Sequence, residues 1–181
     1  MLNLKSSIVN KVLGYYFLNP DSRHYSRELA GLLKIDPGNL SKKMSELKKE
    51  GLFLVETEGK NNYFTLNKKF PLLKEYQNIY EAKFGVVKSL KLALKEVPGL
   101  SDAYIFGSYA KGNFEEASDI DLLVIGSQDH IQISRALSVL EKRWHREINI
   151  IDFSSKEFSQ KMKKNDFFLK NIFSDKTIKI I

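Results

Sequence analysis

Gly107-Ser108 is followed by ten residues and then by Asp119-Ile120-Asp121, within the stretch IFGSYAKGNFEEASDIDLLVIG at residues 105–126. On a strand, residues two apart project from the same face, so the spacing predicts that the two carboxylates lie side by side. Carboxylates held that close repel one another unless a cation sits between them. Hard oxygen ligands at the edge of a sheet suit Mg²⁺ or Mn²⁺, which fill their remaining positions with water and phosphate oxygens. Gly107-Ser108 follows one apolar run and opens a short helical one. Backbone N–H groups and a hydroxyl at such a place can hold a phosphate, and glycine allows close approach. The alternative makes Ser108 a helix cap and Ser118-Asp119 a turn, and leaves Asp121 in an apolar strand without a role.

The surrounding pattern alternates between strand and helix, as an α/β arrangement does. Strands are expected over residues 102–106, 120–125 and 148–153, with a last one in TIKII. Helices are expected at GSYAKG, over 131–146, and in SKEFSQKMKK and DFFLKNIF. Ile133, Leu137, Leu140 and Trp144 mark the apolar face of the 131–146 helix, which makes Trp144 a core residue.

GSYAKGNFEEASDIDLLV resembles the minimal nucleotidyltransferases of the DNA polymerase beta superfamily, over roughly residues 85–181. The resemblance implies transfer of a nucleoside monophosphate from an NTP to an acceptor, with pyrophosphate leaving. It implies that Gly107 and Ser108 hold the triphosphate, that Lys111 neutralises phosphate charge, and that Asp119 and Asp121 bind Mg²⁺. Ser118, beside the aspartates, is counted with the nucleotide-binding residues. Family members usually add a third acid on a later strand. Here that strand is REINIIDFSS, and the matching position is Asn149. An amide offers one oxygen to a metal but is neutral and a poor base. Glu147 lies one step earlier on the same face, and Asp152 falls on the opposite face of a regular strand. Asp119, Asp121 and Asn149 are therefore the candidate catalytic set. Nucleotide binding is better supported than transfer.

The N-terminal part has a different character. Of the 29 Lys/Arg and 22 Asp/Glu, residues 1–70 hold 12 and 7, so most of the net charge of +7 sits there. That bias suits either a polyanion partner or simple solubility. Helices are expected over residues 3–18, after Ser26 as a cap, and from Asp36-Pro37 to Gly51, where Leu40, Met44 and Leu47 form a buried stripe. LFLVETEG and NYFTLN read as a hairpin around Lys60-Asn61. This layout, over about residues 5–68, resembles the winged helix-turn-helix regulators of bacteria and archaea. It implies duplex DNA contacts from Asn39, Ser41, Lys42 and Ser45, with Arg27 and Lys43 at phosphates and Lys60, Asn61 and Asn62 at the wing tip. A solvated lysine face, or a winged helix that docks a protein, remains open.

One long helix is expected over residues 71–97, with its apolar stripe packed on its own chain or in a homodimer. The expected fold is thus α+β and α/β in two domains: a winged helix (1–70), a linker helix (71–98) and a nucleotidyltransferase-like mixed sheet with helices (99–181). The three histidines are scattered, and there is no cysteine. This fits a reducing cytoplasm and excludes disulfides and thiolate metal sites. No apolar stretch is long enough for a bilayer, and no signal peptide is read. Two functions stay in view: an NTP-dependent transferase, with a protein as one possible acceptor, or a DNA-binding regulator that senses a nucleotide.

Overall fold

In the computed structural model, which describes residues 4–113 and 118–181, the first apolar repeat forms α1 (Ser7–Leu18). It starts later than expected because the Ser6 hydroxyl caps it, accepting from the Val9 amide at 3.4 Å. Asn3, the expected first residue, lies outside the described residues. β1 (His24–Tyr25) leads into α2 (Ser26–Leu33), whose cap position is Tyr25, without a side-chain hydrogen bond. Ser26 is therefore the first helical residue and not the cap. In α3 (Pro37–Lys49), Asp36 Oδ1 accepts from the Asn39 amide at 2.9 Å and Pro37 occupies the first turn. Leu40, Met44 and Leu47 are buried, as their spacing requires.

The hairpin consists of β2 (Phe53–Glu58) and β3 (Asn61–Leu66), paired from Glu58–Asn61 to Phe53–Leu66. β1 joins the other side of β3, giving an antiparallel sheet ordered β1-β3-β2. α4 (Leu73–Phe84) follows, anchored by Tyr80, whose hydroxyl donates to the Asn10 carbonyl at 3.2 Å. The long helix expected over 71–97 is two helices. Gly85 takes an extended backbone (φ −71°, ψ −177°), and α5 (Val86–Lys95) starts afresh beyond it. A glycine weakens a helix interior, and the three- and four-residue apolar steps run through it without registering the break.

The chain divides into two units at this point, Met1–Lys83 and Phe84–Ile181. In the second unit, β4 (Leu100–Phe106) runs directly into α6 (Gly107–Lys111). β5 (Ile120–Gly126), α7 (His130–Trp144) and β6 (Ile148–Ser154) follow, then α8 (Ser155–Lys163), α9 (Phe167–Ser174) and the two-residue β7 (Ile178–Lys179), shorter than TIKII suggested. The sheet is mixed, in the order β6-β5-β4-β7, with only the β5–β6 pair parallel. Alternation along β5 splits its side chains between two cores. Leu123 and Ile125 pack with Leu169 and Ile172 of α9. Ile120, Leu122 and Val124 are buried on the other face, where α7 meets β6 and α5 packs on α7. Trp144 is core, at 2% exposure. Among the described residues, no helix is long and apolar enough to cross a membrane.

Candidate functional site

The pairing of β4 with β5 sets Phe106 opposite Asp121. The chain then turns sharply at Gly107, where φ is +69°, a region that side chains rarely adopt. Space is as restrictive as conformation. A Cβ on residue 107 would collide with Asp121 Oδ2 and come within 3.1 Å of its Cγ. Glycine is thus required twice, and the turn that opens α6 is packed on a carboxylate. Phe106 stands at the cap position of α6 without a side-chain hydrogen bond, and the first-turn amides, as in any helix, have no intrahelical acceptor.

Asp119 does not lie on the strand. β5 begins at Ile120, whose amide donates to the Glu147 carbonyl at 3.0 Å. Arg146, only 8% exposed, donates from Nη1 to the Ser118 carbonyl at 3.2 Å and fixes the segment just before Asp119. Asp119 nevertheless stays close enough to be felt. Burial pushes the Asp121 carboxyl above its usual range, the Asp119 charge pushes the same way, and a hydrogen bond from Asn149 opposes both.

Asn149 sits beside Asp121 in the parallel register, and its Nδ2 donates to Asp121 Oδ1 at 3.1 Å. The candidate third position therefore does join the aspartates, as a neutral donor. Asp152 pairs with Val124 in register, three positions along from the Asp121–Asn149 pair, and its carboxylate is 3.6 Å from His130 Nδ1. Glu147 lines a cavity of about 870 Å³ together with Asp119, Asn149, His145 and Arg146. Lys111 is 2.6 Å from Asp175, and both side chains are about half exposed. An exposed pair of this kind is worth roughly 0–1 kcal/mol, so Lys111 is easily drawn to a stronger anion. Pattern reasoning missed Asp175 and Arg146. A charged residue between the end of α7 and a buried strand was the available signal for the second.

Among the described residues, no three His, Asp or Glu side chains gather as a metal cage. The two carboxylates fit a Mg²⁺ that takes most of its shell from water and phosphate, and the charge at Asp121 that Asn149 compensates only in part is what such an ion would relieve. The expected DNA-contact residues lie in the first unit. Asn39, Ser41, Lys42 and Ser45 are exposed on α3, and Arg27 is exposed on α2. Lys43 is half-buried and 2.7 Å from Glu46. Lys60 and Asn61 are exposed at the hairpin tip, while Asn62 accepts from Thr57 Oγ1 at 2.8 Å.

Residues 88–176 match the family described as Polymerase beta, Nucleotidyltransferase. The chain is also 30% identical over 104 residues, 57% of its length and 89% of the relative's, to a "Putative protein adenylyltransferase" of Methanocaldococcus jannaschii. The chain belongs to the polymerase beta nucleotidyltransferase family. Two solved structures overlap this chain partially. One is a mutant of the toxin-antitoxin MntA-HpeT, 17% identical, with a TM-score of 0.40 over 53% of this chain and 73% of that one. The other is a toxin-antitoxin with AMP-PNP, 19% identical, with a TM-score of 0.39 over 52% of this chain and 72% of that one.

A carboxyl whose folded pKa is raised costs stability only while it is ionised. Asp121→Asn keeps an acceptor for Asn149 and removes that charge. In EDTA at neutral pH the substitution raises the melting temperature by about 2–4 °C. The gap from wild type narrows as pH falls toward the carboxyl range and wild-type Asp121 takes up a proton. Thermal scans against pH measure both effects, and an unchanged or lowered midpoint at neutral pH contradicts the electrostatic description.

Proposed function

We propose that this nucleotidyltransferase moves a nucleoside monophosphate from an NTP to a hydroxyl of a protein acceptor. The observation that carries the reading is the Gly107 turn packed on Asp121, with Asp119 alongside: a phosphate-binding turn and paired carboxylates in one place. The relative's name, a protein adenylyltransferase, supports a protein acceptor and AMP as the transferred group. Gly107 and Ser108 hold the triphosphate, Ser118 lies at its flank, and Lys111 leaves Asp175 for it. Asp119 and Asp121 hold Mg²⁺, which when bound neutralises the triphosphate and steadies the charge that builds on the leaving group. The acceptor oxygen forms a bond to the α-phosphorus, the bond from that phosphorus to the bridging oxygen breaks, and pyrophosphate departs. Asn149 cannot take the hydroxyl proton. Glu147, which lines the same cavity as Asp119 and Asn149, is the carboxylate we assign to accept it. Incubation of the protein with cell extract and α-labelled ATP should give metal-dependent label on protein, reduced about 100-fold or more by Asp119→Ala. Absence of any metal-dependent label counts against transfer.

Asn149 favours a second reading, in which the domain binds nucleotide without catalysis and the N-terminal unit responds to it. That unit is then a winged helix that docks α3 in the major groove of duplex DNA. The order α1-β1-α2-α3-β2-β3, the β1-β3-β2 sheet and the exposed Asn39, Ser41, Lys42 and Ser45 support this. Arg27 faces phosphate, and Lys60 and Asn61 form the wing tip. Glu56 and Glu58 lie along β2, both ion-paired with Arg23, so phosphate contact on the wing is confined to its tip. Duplex affinity should fall with salt, and Lys42→Ala should lower the slope of log K against log salt by about 1. No duplex binding at low salt overturns the DNA reading. Binding that nucleotides never alter overturns the sensor.

A further inference from the structure

α9 opens with two phenylalanines in water: Phe167 is 78% exposed and Phe168 is 42% exposed. Later in the same helix, Leu169 and Ile172 are core, so the helix is already anchored without them. Single exposed apolar residues are ordinary. Phe168 differs from Phe167 in its neighbour. Its ring meets Phe106 at 90°, with centroids 6.4 Å apart. Phe106 immediately precedes Gly107 and lies opposite Asp121. At the far end, Asp175, just beyond α9, pairs with Lys111, the last residue of α6. α9 therefore runs beside the phosphate turn from its entry to its exit, and Phe168 stands at the entry.

We propose that Phe168 is the platform on which the base of the bound NTP stacks. This rests on the nucleotide site proposed above. With the triphosphate at Gly107-Ser108 and the aspartates, the ribose spans the short step from the phosphates to Phe168. The edge-on contact from Phe106 fixes the tilt of the ring. Phenylalanine offers a π-face and no hydrogen-bonding group, so the platform reads stacking area rather than base edges. It accepts every base and favours purines.

Calorimetry on the full chain with Mg²⁺ tests this, using ATP, CTP and inorganic tripolyphosphate as ligands. Phe168→Ala should weaken ATP about 10-fold, weaken CTP less, and leave tripolyphosphate unchanged. Phe168→Trp should restore ATP, and Phe167→Ala should bind as wild type does. Equal ATP affinity in wild type and Phe168→Ala overturns the platform while the phosphate site stands. Equal loss of ATP and tripolyphosphate in Phe168→Ala makes the residue structural and overturns it too. If wild type binds neither ligand, the nucleotide site fails and the platform fails with it.

Discussion

The carboxylate of Asp121 occupies the space that a side chain at residue 107 would need. Much of the C-terminal unit follows from that contact. It demands glycine at the end of β4, where the backbone is left-handed and the chain turns into α6. It demands the β4–β5 register that sets Phe106 against Asp121. It also demands that a charged group tolerate partial burial. Carboxylates are placed so only where something compensates, and the hydrogen bond from Asn149 does part of that.

Asn149 shapes what this domain can do. A carboxylate at that position would add a third negative charge beside Asp119 and Asp121 and raise the repulsion without metal. The amide instead donates to Asp121 and steadies the free protein. Metal affinity and proton acceptance are what it gives up. Nucleotide binding does not need a carboxylate at that position, whereas transfer needs another base. This is why enzyme and sensor remain the two readings that one side chain divides.

The elements near the site were legible where the signal is local. The spacing of Gly107 and Asp121 anticipates their contact, and Asp36-Pro37 with the Leu40, Met44 and Leu47 stripe marks α3 without tertiary information. Most of what was missed depends on a contact distant in sequence, and the Gly85 break on one local residue. Asp119 falls outside β5 because the strand begins where the Ile120 amide finds the Glu147 carbonyl. The helix expected over 71–97 breaks at Gly85, which an apolar repeat does not register. Lys111 meets Asp175, and Phe168 meets Phe106, across more than sixty residues, and no periodicity carries such pairs.

As proposed above, the Gly107 turn and the paired aspartates form one metal-dependent nucleotide site. Calorimetric titration with a non-hydrolysable NTP, with and without Mg²⁺, on wild type and Asp119→Ala/Asp121→Ala tests it most directly. Wild type should bind only with the metal, and the double variant should not bind. Binding that ignores both Mg²⁺ and the aspartates would contradict it.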